Sequence, residues 1–426
     1  MLAIGSEPLL NIADTAMIGR LGVAPLAARA IGSSLIGAVY WGFTFLAFGT
    51  TTLVGYHHGA KNDQACGETW LHATALALAG GMIVALLGIY LAADLYRWMG
   101  ADSSLVEQGT AYFRIRIAGA PFTFLFFATV GLLRGIQNTK TPMQIAFLVN
   151  GANLLLDIGL IYGNFGLPAL GLIGAAAAAW IAQALGALAC IGVIFFSRHT
   201  ALYRPRKARI RLSQMLPLFR IGRDLAVRTG ALRFSLVFAT GSAARMGAAT
   251  LSAYEIAYQL FMLCSDVIDG IAVAGQALAA KYLGARHGHE AYRMGRALIL
   301  CGAVAGLLFT AAFTSAEQSI IHLFTTSPDV ILLIGGGLFL LVALFQPLNG
   351  IVFVLDGLLI GAHDTRFLMR AMIVGALCIF VPISWLSLQW GWGLNGIWAG
   401  VSALMLWRFA ANFYRFAGKK WLAPGR

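Results

Sequence analysis

Charged side chains are scarce in this sequence, 11% of 426 residues, where soluble domains carry about a quarter. So few charges cannot cover a water-exposed surface, and a soluble fold is excluded. Cysteine is sparse and unpatterned. Cys66, Cys190, Cys264, Cys301 and Cys378 show no paired spacing and mostly fall in apolar stretches, which excludes a disulfide framework and a cysteine metal site and leaves them as small core residues. His57 and His58 are consecutive, so on a helix their imidazoles point apart and make a poor chelate. No metal site, no catalytic residue and no cofactor are expected. No cationic stretch precedes the first apolar run, so a cleavable signal peptide is not expected either.

Apolar residues fill the space that charge leaves, at 59% of the chain. Runs of about 18 or more recur between short polar, Gly- or Pro-containing turns, the pattern of helices crossing ~30 Å of hydrocarbon. Twelve spans are predicted, at roughly 1–18, 28–55, 69–96, 111–133, 142–163, 169–197, 214–243, 249–280, 294–315, 330–360, 367–388 and 394–414. The first is short and contains Glu7 and Asp14, and a start one or two turns upstream, or a genuine truncation, is the expectation.

Basic residues outnumber acidic ones by 30 to 17, and they sort by turn. Even-numbered turns and the C-terminal tail hold Lys61, Arg134, Lys140, Arg204, Arg206, Lys207, Arg209, Arg211, Lys281, Arg286, Arg293, Arg296, Arg366, Arg370, Arg415, Lys419 and Lys420. Odd turns hold little beyond Arg20, Arg29, Arg97 and Arg245. By the positive-inside rule both termini are expected in the cytoplasm. The basic run at 204–211 then reads as an anchor for the anionic leaflet and not as a nucleic-acid site.

Sliding the chain on itself by 225 or 226 residues aligns turn signatures, the mark of an internal repeat. Arg20, Leu21 and Gly22 fall on Arg245, Met246 and Gly247; Leu132, Leu133 and Gly135 fall on Leu358, Leu359 and Gly361; Gly166 and Gly171 fall on Gly391 and Gly396. The expected architecture is an all-α polytopic membrane protein with twelve spans in two parallel-repeat lobes of six. The expected division is an N-terminal lobe at 1–200, a basic cytoplasmic linker at 201–212 and a C-terminal lobe at 213–426. Paired bundles of this kind suit alternating access about a site near the midplane.

An acid inside the bilayer is costly and is usually functional, so these residues are the site candidates. Asp14 shares a helical face with Asn11 and Met17, and its repeat equivalent is Ala239. The fifth span carries Asn150, Asn153 and Asp157 at helical spacing, a stripe that must face protein or water, as ligand site or as interhelical glue. If the first and fifth helices face each other, Asp14 and Asp157 form a coupled pair able to exchange a proton. In the second half Asp269 and Asp356 are further cavity candidates, while Asp224 lies four residues from Arg220 and Arg228, the spacing of local ion pairs.

These residues carry a resemblance. The run Asp14, Thr15, Ala16, Met17, Ile18, Gly19, Arg20, Leu21, Gly22, the turn Leu133, Arg134, Gly135 with Asn138, Thr139, Lys140, and Asn153 with Asp157 belong to it. So do the stretch from Arg223 and Asp224 to Arg228 and Thr229, the run Asp269, Gly270, Ile271, Ala272, and Asp356, Gly357 with Gly361. Over essentially all of 1–426 the chain resembles the multidrug and toxin extrusion (MATE) family, DinF-type branch. The resemblance implies a V-shaped pair of six-helix lobes and export driven by inward proton or sodium flow, with Asp14 in ion coupling and Asp157 in the same N-lobe cavity. The family's first helix starts well before this one, and the C-lobe acids of the sodium-dependent branch have no clear counterpart here, which favours protons.

The function expected is therefore secondary antiport of amphiphilic or cationic organic compounds against protons or sodium in a bacterial inner membrane. A small organic substrate and membrane lipid are the expected partners, nucleic acid is not, and the chain is expected to act as a monomer. A flippase for lipid-linked precursors is the rival transporter, for which Arg114, Arg116, Arg228 and Arg233 are the relevant residues. A membrane enzyme using the D-x-x-D pair Asp266 and Asp269 lacks a second acidic cluster.

Overall fold

The computed structural model describes residues 2–205, 210–335 and 337–422, without the side chains of residues 2–9, 12 and 199. The Glu7 side chain and Arg206, Lys207 and Arg209 of the basic run therefore lie outside the described residues. Among the described residues there is no strand, and twelve long helical segments follow one another. They are α1 (Leu2–Gly19), α2 (Val23–Gly59), α3 (Asp63–Trp98), α4 (Ser103–Gly135), α5 (Lys140–Tyr162) and α6 (Leu172–Phe196). After the linker come α7 (Leu212–Arg245), α8 (Ala248–Gly284), α9 (Gly288–Ser315), α10 (Leu338–Leu344 with Gln346–Gly361), α11 (Thr365–Gln389) and α12 (Gly393–Ala417).

Eight of the described helices are long and apolar enough to cross a membrane, and α10 makes a ninth when its two arms, bent by 43°, are taken together. The other three, α1, α7 and α12, carry Asp14, the Arg223 to Arg228 stretch and Arg408, respectively. Such residues lower a helix's mean hydropathy.

The chain forms two compact units, Met1–Gly222 and Arg223–Arg426. The division falls inside α7, later than the linker at 201–212. Packing explains the shift: Leu218 and Ile221 lie against Gly49 of α2, and Gly222 lies against Phe45. The first turns of α7 thus belong to the first unit's core, where Leu218 joins Leu46, Phe124 and Ala128.

The repeat has a physical basis in glycine contacts. An added Cβ at Gly131 of α4 would lie 2.8 Å from the Ala47 carbonyl oxygen of α2, and one at Gly357 of α10 would lie 2.2 Å from the Ala272 carbonyl oxygen of α8. A Cβ added at Gly81 would lie 2.5 Å from Pro121 Cα, and one at Gly306 2.5 Å from Pro347 Cα. These contacts are related by the same offsets of 225 and 226. In both halves small residues let helix backbones touch where apolar side chains have no solvent to escape. Pro121 and Pro347 also sit at the breaks that bend α4 and α10, each at the start of the second arm, because proline removes a helical N–H and crowds the preceding turn.

The turns repeat as well. Lys61 and Arg286 have φ of 56° and 61°, Gln137 and His363 have 67° and 61°, and Gly22 and Gly247 have 127° and 112°. The pair Gly166 and Gly391 keeps this likeness at 76° and 67°, but Gly396 lies within α12, and Gly393 takes the left-handed position at 63°. Asn138 shows what such a turn residue does: its side-chain oxygen accepts from Thr141 N at 3.1 Å and its amide donates to Thr141 Oγ1 at 2.9 Å, capping α5. Asp102 caps α4 by accepting from Leu105 N at 2.8 Å, and that backbone bond with the Ser104 hydroxyl holds its carboxyl below the usual carboxylate range.

Close approach makes a prediction. Gly357→Ala should destabilise by about 1–3 kcal/mol because the new methyl meets backbone that cannot yield. Gly230→Ala, on α7 with nothing within 4 Å of the added atom, should be neutral or stabilising by up to about 1 kcal/mol. Thermal unfolding of the two detergent-solubilised variants checks this, and equal melting temperatures would refute it.

Candidate functional site

The site grows from the polar faces of α1 and α5. These helices pack together, and the Tyr162 hydroxyl donates to the Met17 carbonyl at 2.9 Å. That register brings Asp14 to Asp157. The two carboxyls interact directly, and Oδ1 of each is buried without a hydrogen-bond partner. The other Asp157 oxygen accepts from Asn153 Nδ2 at 3.0 Å, and Asp157 is 1% exposed. Carboxylates close together away from water repel, so the charge on one opposes the charge on the other.

Beside this pair lies a cavity of about 600 Å³, enclosed by α1, α2, α4, α5 and α6 of the first unit. Asn11, Asp14, Asn150 and Asn153 line it, and Asp157, bonded to Asn153, is not among the lining residues. Met17 does not line it. Its side chain packs instead beside the cluster of Ile18, Ala28 and Tyr112, because the turn toward α5 rotates it out of the cavity face. The phenylalanines divide: Phe126 and Phe127 face the cavity, whereas Phe43 stacks on Phe124 at 4.1 Å in the core.

Two cations in this cavity were not chosen as its residues from sequence. Arg29 of α2 stands 3.8 Å from Asp14 and donates to Thr15 Oγ1 at 2.8 Å. Arg116 of α4 is surrounded by Tyr112, Tyr40 and Asp14, and the Tyr40 hydroxyl donates to its carbonyl at 3.3 Å. Arg116 had a signal, since it falls inside the span predicted at 111–133. Gly32 makes room for Tyr112, since a Cβ there would lie 2.9 Å from the Tyr112 ring. Gln183 of α6 and Trp41 of α2 complete the polar and aromatic wall.

The second-unit candidates lie elsewhere. Asp356 is 5% exposed and receives Arg228 and Arg408 on one oxygen and Asn412 Nδ2 at 2.8 Å on the other. Arg408 also lies over the Phe353 ring at 5.4 Å. Asp269 is exposed on α8, with Arg228 and Asp356 nearby. The spacing of Asp224 suggested local pairs with Arg220 and Arg228, but Asp224 takes Arg223 at 2.8 Å and the Thr365 hydroxyl at 3.1 Å. Arg228 instead reaches Asp356 of α10, which it shares with Arg408.

A duplicated all-helical fold, with paired buried acids beside a drug-sized cavity, defines a polytopic membrane transporter and not an enzyme. The sequence pattern of the MatE family matches residues 1–158 and 232–386, and the chain belongs to that family, whose members are transporters. It is 29% identical to Protein DETOXIFICATION 44, chloroplastic, of Arabidopsis thaliana, over 99% of this chain and 82% of that one. It is 26% identical to DNA damage-inducible protein F of Escherichia coli (strain K12), over 94% and 86%. A crystal structure of MATE in the bent conformation superposes with a TM-score of 0.89 at 20% identity, covering 99% of this chain and 94% of that one, which shows the twelve-helix fold.

Proposed function

We propose that the protein is a secondary antiporter that exports amphiphilic organic compounds bearing a cationic group in exchange for protons. The proximity of Asp14, in the cavity wall, to Asp157 behind it carries this reading. With the acids ionised, the cationic group of a substrate lies against the pair; a proton entering from the other side neutralises it and releases the substrate. Exchange follows only because proton and substrate favour different states of the same carboxyls. Sodium is the alternative driving ion. The setting proposed is a bacterial inner membrane with both termini cytoplasmic, with the chain acting as a monomer. Export of lipid-linked precursors would want a surplus of positive charge, and here two acids stand beside two arginines.

The test is dye and ion flux measured together in proteoliposomes. An outward-directed cationic dye should move when a pH gradient is imposed, and the proton-loaded side should turn alkaline as it does. Movement under a sodium gradient alone would replace the proton in this scheme, and no movement under either gradient would remove the exchange reading.

A further inference from the structure

The cavity contains a cation that proton-for-cation exchange does not use. Arg29 is engaged, with Asp14 at 3.8 Å and Thr15 Oγ1 at 2.8 Å. Arg116 is different: its Nε is buried without a hydrogen-bond partner. The Gln183 oxygen Oε1, from the facing wall, is likewise buried and unpaired. Both residues line the same cavity.

The charges sharpen the point. Asp14 and Asp157 are matched by Arg29 and Arg116, so with both acids ionised the site has no net charge, and a cation drawn to the acids leaves the arginine side of the site unanswered. Tyr112 engages another part of the Arg116 guanidinium, and the buried open Nε–H that remains is a strong partner for a planar oxyanion, costly to leave unmet. A neutral site with separated poles suits a ligand that is itself neutral with separated poles.

We propose that the substrate is a zwitterion, an organic molecule whose carboxylate pairs with Arg116 while its cationic group lies against Asp14 and Asp157. This rests on the exchange reading above and adds the substrate class to it. Arg116 becomes the residue that sets specificity. A proton competes only with the cationic end, so the carboxylate contact adds affinity without opposing the exchange.

Rhodamine B and its ethyl ester test this, because they share a cationic ring system and differ in one carboxylate. Fluorescence titration of purified full-length protein in lipid nanodiscs at neutral pH should show the zwitterion binding about 10- to 100-fold more tightly than the ester, the ratio of a charge-assisted bond. Arg116→Gln should bring that ratio towards one, and Arg116→Lys, which keeps the charge, should retain most of it. An ester that binds as tightly as the zwitterion, or a preference that survives Arg116→Gln, overturns the proposal. If both dyes bind alike and a pH gradient drives both across proteoliposomes, exchange stands and the zwitterion assignment falls. If the zwitterion is preferred but neither dye moves under any gradient, the exchange reading falls instead.

Discussion

Asp14→Asn and Asp157→Asn should each abolish proton-driven efflux while leaving the protein folded. The replacement side chain is the same size, and its amide can donate to the carboxyl that remains, so the contact between α1 and α5 persists. At position 157 a carbonyl oxygen still accepts from Asn153, which now donates at 3.0 Å. The lost property is the change of charge. Unit charges about 4 Å apart interact by about 4 kcal/mol at an effective dielectric of 20, a factor on the order of 10³ in an equilibrium constant. Removing one titrating member of the pair should slow proton-driven export by on the order of 100-fold or more, since a ligand with no differential affinity drives nothing. Asp14→Asn also deprives Arg29 of its partner at 3.8 Å, but the hydroxyl of Thr15 and the carbonyl of Asn11 continue to hold that guanidinium. Dye efflux from proteoliposomes, run beside thermal unfolding, separates the two effects. Full coupling in Asp157→Asn would mean that Asp14 works alone.

Much of the architecture was legible because bilayer physics writes directly into composition. Span length, turn chemistry and the 225-residue period needed no tertiary information, and the glycine contacts explain why that period survives: Gly131 and Gly357 are fixed by the backbones they touch. The polar stripes of α1 and α5 required protein or water beside them, but that these two helices face each other was only a condition in the sequence and is visible in the structure. What stayed hidden depends on which distant helix supplies a partner. Arg29 read as a turn residue, although it enters the same cavity as Asp14, and Met17 shares a spacing with Asn11 that a short first helix does not turn toward the cavity. Arg228 has an acid four residues away and still pairs with Asp356, 128 positions on. Local spacing ranks candidates within one helix, whereas the packing of distant helices decides the partner, and that packing is not written in spacing.

The Asp356 cluster should be the most sensitive point in the second unit. One carboxylate, 5% exposed, takes Arg228 and Arg408 together, and Arg408 is itself 2% exposed. Removing the acid alone leaves two guanidinium groups facing each other without compensation, and breaking a buried pair from one side costs about 3–5 kcal/mol. The repeat supplies the natural replacement. At the offset of 226 that aligns Gly357 with Gly131, Asp356 corresponds to Val130, which is 4% exposed in the first unit. An apolar side chain therefore fits this place in the scaffold. Asp356→Val should lower the melting temperature sharply, and combining it with Arg228→Met and Arg408→Met should recover most of the loss, because apolar groups of similar volume replace a buried ion cluster at little cost. If Asp356→Val alone is harmless, the two arginines reach water or another acid, and the exposed Asp269 on α8 is the first place to look. If the triple variant is as unstable as the single one, the cluster holds α7, α10 and α12 together by geometry that apolar packing cannot reproduce.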